Sequence, residues 1–226
     1  MNNLDPVAWI ERESEAFASV FDAGRLDARV PGCPDWTLRD LGSHLGTVQQ
    51  FWSRVVRAGA DREPERRAPA LTGAETPPEL AAWARESARD LLDALRATSF
   101  DSPAWTWWPD NRTVGAIARH QVQEAAVHRW DAQSAVGAPD PLAPEIAEDF
   151  IDEFLWIARQ LRGPAPITLV ATDLAHSFAA SDDPPAVTVS ASASDLVLLF
   201  YGRISPDRVH VDGDRAALDA ALMPIG

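Results

Sequence analysis

Three side chains of metal-ligating type stand where a helical sequence should place apolar ones. Glu124 and His128 lie four residues apart in Thr113–Gly137, TVGAIARHQVQEAAVHRWDAQSAVG, and His44 lies in a second helical stretch that starts after Asp35 or at Thr37 and runs to about Ala58. Wound at about 100° per residue from Glu124, Ile117 and Ala135 fall within about 20°, His128 at about 40° and Val127 at about 60°, while Arg119 and Arg129 point away. Wound in the same way from His44, Phe51 and Val55 fall within about 20° and Val48 within about 40°, with Arg39, Ser53 and Arg57 on the far side. All three groups therefore sit at the centre of buried stripes. A carboxylate and an imidazole buried there are costly unless something pairs with them. Glu-x-x-x-His presents an oxygen and a nitrogen one helical turn apart, and a histidine from a facing helix completes three ligands. Two histidines and a glutamate with a fourth position open is the coordination of catalytic zinc. Asp40, one turn before His44, lies on a neighbouring line and is placed to accept a hydrogen bond from its imidazole.

His120 is a competing ligand, since it stands four residues before Glu124 and also faces inward. Its Cα is expected about 12 Å from that of His128 along the helix, so one ion would not take both. Spacing favours His128, with His120 as a hydrogen-bonding or pocket residue, without deciding the matter. Taken singly, each of these histidines is better explained as a polar core group satisfied by its neighbour, and it is the three inward groups on two helices together that favour a site.

The remaining elements must position these groups. Leu4–Ala23 carries Val7, Ile10, Phe17, Val20 and Phe21 at helical spacing, and a third helix over about 78–97 carries Leu80, Trp83, Leu91, Leu92 and Leu95. Val30–Asp35 reads as a turn-rich connector and Asp61–Pro78 as a surface loop. A fifth helical stretch covers Ala143–Leu161, after a stop signal at Gly137–Pro141. From Arg162-Gly163-Pro164 onward short strands are expected at Ile167–Ala171, Ser177–Ala180, Ala186–Ser190 and Val209–Val211, with helices after Ser192 and over Asp214–Met223. The fold expected is α+β: a metal-binding helical bundle over 1–162, then a small α/β domain over 163–226.

Composition narrows the class. The 226 residues are 46% hydrophobic and 24% charged, with net charge −14 and pI near 4.6, which suits a soluble globular protein and opposes nucleic-acid or anionic-membrane binding. One cysteine, Cys33, excludes an intrachain disulfide framework and a cysteine-rich zinc site, and its place between prolines suits a small residue packed under a loop. The polar, acidic amino-terminal residues and the lack of a long apolar run point to the cytoplasm. Trp105, Trp107 and Trp108 in SPAWTWWPD predict an aromatic wall, for a pocket or for packing between domains.

The segment VPGCPDWTLRDLGSHLG followed by QEAAVHRWDAQSAVG resembles the mycothiol-dependent maleylpyruvate isomerase family, a branch of the DinB-like four-helix bundles. The later segments ITLVATD, VSASASDLVLLFYGR and VDGD resemble that family's carboxy-terminal domain, which is similar to sterol carrier proteins. The resemblance covers nearly the whole chain and implies a divalent metal, usually zinc, held by His44, Glu124 and His128. It departs at Gln123, where many relatives carry a histidine. It further implies a small thiol of the mycothiol kind and a small electrophilic substrate, acidic ones included. Arg203, which ends LLFYGR, is the candidate for binding a substrate carboxylate. The chemistry expected is attack by a metal-held thiolate on an electrophilic carbon, giving cis–trans isomerisation by addition to a double bond, or S-transfer by displacement. The alternatives are a metal-dependent hydrolase and a non-catalytic, metal-stabilised binding module for small ligands.

Overall fold

The computed structural model describes residues 4–60, 71–108, 111–137, 139–162, 165–174 and 176–222, with the backbone alone at 23 and 160–162. Contacts divide the chain into two compact units, the first running to Asp140 and the second starting at Pro141.

The first unit is a bundle of four helices: α1 (Pro6–Ser19), α2 (Leu38–Ala58), α3 (Pro77–Ala97) and α4 (Val114–Val136). Its core is built on Phe17, Phe21, Leu41, Leu45 and Leu80. Gly46 lets α2 and α3 approach closely, because a Cβ there would overlap the Trp83 ring. The residues before α2 differ from the connector expected. Arg29–Val30 (β1) and Cys33–Thr37 (β2) pair antiparallel, and Val30 is fully buried. The N-cap of α2 is Thr37, not Asp35: its hydroxyl accepts from the Asp40 N–H, and the Asp40 carboxylate accepts from the Thr37 N–H at 2.8 Å and from its hydroxyl at 2.6 Å. Residues 61–70 of the expected surface loop lie outside the described residues.

Helix α4 is not one-sided. It packs against α1 and α2, and residues on every side of it are buried, Ala116, Val122, Ala126 and Ala132 among them. Arg129 is accordingly not on a solvent face. It is 4% exposed, and its Nε donates to Glu13 Oε2 at 2.8 Å while Nη1 donates to the Gln133 side chain at 2.8 Å and the Asp140 carbonyl at 2.6 Å. Ser53, expected to point away, is fully buried, and its hydroxyl donates to the Asp90 carboxylate at 2.7 Å.

The second unit holds α5 (Pro144–Arg162), β3 (Ile167–Ala171), β4 (His176–Ala179), β5 (Val187–Ala191), α6 (Ala193–Phe200), β6 (His210–Gly213) and α7 (Arg215–Ala221). The strand order is β4-β3-β5-β6, with β3 and β5 parallel and both edge strands antiparallel to their neighbours. The expectation that α5 closes the bundle, with the boundary at 162/163, differs from this division. The apolar stripe of α5 is covered within the second unit: Phe150 meets Tyr201 and Phe154 meets Phe200, each with ring centres 4.8 Å apart. The change of character at Arg162 marks the end of a helix rather than of a domain, and Gly163 and Pro164 lie outside the described residues. No helix among the described residues is long and apolar enough to cross a membrane.

Candidate metal centre

Helix α2 supplies His44, and α4 supplies Glu124 and His128. One ligand atom from each lies within 4.8 Å of the others. The two imidazoles meet edge to face, 5.0 Å between centres at 83°. His128 Nε2 is 3.3 Å from Glu124 Oε2, and on the other side of the ring Nδ1 is 3.1 Å from Asp131 Oδ2. Asp131 is fully buried. A buried carboxylate can only accept, so the proton belongs on Nδ1 and Nε2 is turned toward Glu124. Trp36, the residue before the α2 cap, lies 4.7 Å from the His44 ring. The capping box fixes where α2 begins, and with it the register that sets Trp36 against His44.

The charges are strongly coupled. Burial pushes the Glu124 carboxyl up, but the hydrogen bond from His128 and the positive charge of His128, His120 and His44 outweigh it and bring it down to about 2. Burial pushes the His128 imidazole down, and its bonds to Asp131 and Glu124, with their negative charge, raise it instead to about 9. At neutral pH and without a cation, the site is a carboxylate–imidazolium pair in which a proton holds the place that a metal would take.

The donor set fits a divalent ion. Ligands about 2.0–2.2 Å from a tetrahedral zinc stand about 3–3.5 Å from one another, so a spread of no more than 4.8 Å is closed by small side-chain rotations. Nδ1 of His128 is already tied to a buried carboxylate, the arrangement that orients metal-binding histidines.

The other residues singled out in the sequence fall in varied places. His120 is beside the triad, its Nε2 3.7 Å from Glu124 Oε1, and its ring lies against Trp52, Trp107 and Trp108. Asp40 does not have the orienting role expected of it: it is exposed, and its carboxylate is engaged by Thr37. Gln123 is buried at 4% exposure, turned about 100° from Glu124 on α4. Cys33 is half-buried and packs against the bundle core. Arg203 belongs to the second unit, where its Nη1 donates to the Tyr201 carbonyl at 2.8 Å and its guanidinium sits 5.9 Å from the Tyr201 ring centre. Two residues of the site were missed in the sequence, Asp131 and Trp36. The first had a signal, since His-x-x-Asp places both groups on one helical face.

The family described as mycothiol maleylpyruvate isomerase N-terminal domain matches residues 7–133, and that described as MDMPI C-terminal domain matches residues 145–220. The gap between them brackets the division at Asp140. No curated protein matches the chain. Among solved structures, a histidine-to-alanine mutant of the mycothiol-dependent maleylpyruvate isomerase is similar at TM-score 0.73 and 14% identity over 92% of each chain. Another crystal structure of the mycothiol-dependent maleylpyruvate isomerase is similar at TM-score 0.70 and 15% identity, over 89% of this chain and 90% of that one. At such identity this likeness is one of fold. The first family match alone spans more than half of the sequence, and the protein belongs to the mycothiol maleylpyruvate isomerase family.

Proposed function

We propose that the protein is a metal-dependent enzyme that uses a small thiol of the mycothiol kind to isomerise, or transfer sulfur to, a small electrophilic substrate. The observation that carries this reading is the convergence of His44, Glu124 and His128 within 4.8 Å; the family's name supplies the thiol and the reaction class. A divalent ion, zinc foremost, held by these three residues would lower the pKa of a coordinated thiol so that the sulfur is anionic at neutral pH.

The chain's own residues prepare that site. Asp131 keeps the His128 proton on Nδ1, so that Nε2 stays available beside Glu124. Trp36 covers one side of His44 and restrains its ring. The chain's one cysteine, half-buried against the core, is poorly placed to be the sulfur nucleophile, which suits a thiol brought from outside. Hydrolysis is less well supported by the family's name, and neither candidate carboxylate outside the triad is open to serve as its base. Asp40 is committed to the helix cap and Asp131 to His128.

Metal analysis of the purified protein and of His44→Ala tests the site. Stoichiometric zinc or another divalent metal, lost in the variant, is expected. A metal-free wild type, with metal content and stability unchanged by His44→Ala, sinks the reading. An assay with thiol present and absent then separates the chemistries. Thiol-independent turnover would favour hydrolysis, and a metal-loaded protein inactive across a broad panel of electrophiles would favour a binding module.

A further inference from the structure

In the second unit, helix α5 and the edge strand β4 border an open groove of about 340 Å³. Helix α5 lines it with Asp152, Leu155, Trp156 and Arg159. At about 100° per residue these four share one face about 100° wide, with the apolar pair in the middle of the row and a charge of opposite sign at each end. Leu155 and Trp156 are half-buried, and Asp152 and Arg159 are exposed. The opposite wall is braced. The His176 ring stacks on that of Phe178, 4.3 Å between centres at 19°, and His176 Nδ1 is 2.9 Å from Glu148 Oε1. Phe178 is itself buried. Strand β4 pairs with β3 on one side only. A groove with walls fixed in this way loses little freedom when something fills it.

The order of the four α5 residues selects the occupant. From either end of the row comes a charge, then two apolar side chains, then the opposite charge. A two-fold axis crossing α5 between Leu155 and Trp156 therefore sets Asp152 of each copy against Arg159 of the other, and Leu155 against Trp156, as a self-complementary contact requires. The two charges stand about 10 Å apart along the helix, too far for one small ion to satisfy both. A net charge of −14 opposes indiscriminate self-association, so two copies need a local match of this kind to meet. We propose that the groove between α5 and β4 seats a second copy of this chain. The two α5 helices lie antiparallel, and the Trp156 indole of each copy enters the groove of the other.

Sedimentation velocity from micromolar to submillimolar protein tests it on wild type, Asp152→Arg, Arg159→Asp, the double exchange Asp152→Arg/Arg159→Asp, and Trp156→Ala, with the unfolding midpoint of each measured alongside. Wild type is expected to be a dimer that dissociates on dilution. Each single exchange places like charges at both ends of the contact and should leave a folded monomer. The double exchange restores opposite charges and should dimerise again. An equimolar mixture of the two single variants should form a heterodimer, since every charge then meets its opposite; a contact without this two-fold pairing would not produce that. Trp156→Ala, which removes the central aromatic anchor, should weaken dimerisation at least about 30-fold. A wild type that stays monomeric throughout the range overturns the proposal and leaves the groove to a different occupant. Single exchanges that still dimerise, or folded single variants that do not pair when mixed, overturn it as well.

Discussion

Replacing Asp131 by asparagine tests the proposed metal site without touching any of its three candidate ligands. The asparagine carbonyl can still accept from His128 Nδ1 across the present 3.1 Å, so the tautomer survives while the negative charge is lost. Loss of such a partner costs metal affinity about 10–100-fold, or about 1.4–2.7 kcal/mol. A second effect opposes it. In the wild type His128 is raised to about 9, in part by Asp131, so at pH 7 a metal must displace a proton held about 100-fold in favour of binding. Asp131→Asn lowers that pKa and relieves some of the competition. Wild-type affinity should therefore climb close to tenfold per pH unit from 7 toward 9, one proton being released per ion. The variant's curve should be flatter, with its deficit small at pH 7 and full at pH 9. Glu124, at about 2, is ionised throughout and does not confuse the slope. Chelator-buffered zinc or cobalt titration at several pH values measures both curves. A wild-type affinity flat between pH 7 and 8.5, or a variant equal to wild type at pH 9, would refute the coupling of Asp131 through His128 to the site.

The metal-free protein carries the same linkage in its stability. His128 is raised above its usual value of about 6.5, so its contribution is complete below that pH and is lost as pH rises through about 9. Glu124 is lowered, so its contribution is present above about 4.5 and is lost as pH falls through about 2. The urea midpoint should thus fall from pH 7 to 9, and a midpoint that rises over that range contradicts the assignment. Arg129→Met strands Glu13 in the core and should cost about 3–5 kcal/mol in urea unfolding. The pair Glu13→Leu/Arg129→Met should cost less than either single change, and additive losses would count against a buried ion pair. Gly46→Ala places a methyl group in the Trp83 ring and should cost about 1–3 kcal/mol; a midpoint equal to wild type would mean that α2 and α3 separate without penalty.

What could be read from the sequence was what repeats along an element. Ile167–Ala171 alternates buried and half-buried residues and was placed to the residue as β3. His44, Glu124 and His128 stood out because each interrupts an apolar stripe, and stripes on two helices locate one site. Arg129 was misjudged because a helical projection assumes one wet side, and α4 is enclosed from more than one direction; Ala125, Ala126 and Ala132 were the sign of it. Asp40 was misjudged because a short carboxylate three residues after a threonine is captured by the nearby backbone before it can serve an imidazole one turn on. The hairpin before α2 was hidden by its prolines and glycine, which signal a turn equally well with or without pairing. The boundary was misplaced because α5 looks like a bundle helix in isolation, and only its partners reveal which core it completes.

The Glu13–Arg129 pair has a meaning for the proposed metal centre as well as for stability. Arg129 leaves α4 about 140° around the axis from Glu124, so α1 grips the helix on one flank while α2 presents His44 on another. A rotation of α4 large enough to part Glu124 and His128 from His44 must also pull a guanidinium out of a dry, fully engaged seat. The pair acts as a torsional stop, setting the azimuth at which the ligands are offered. Damage to α1, a helix that supplies no ligand, would then surface as a change in which metal the site accepts and how tightly.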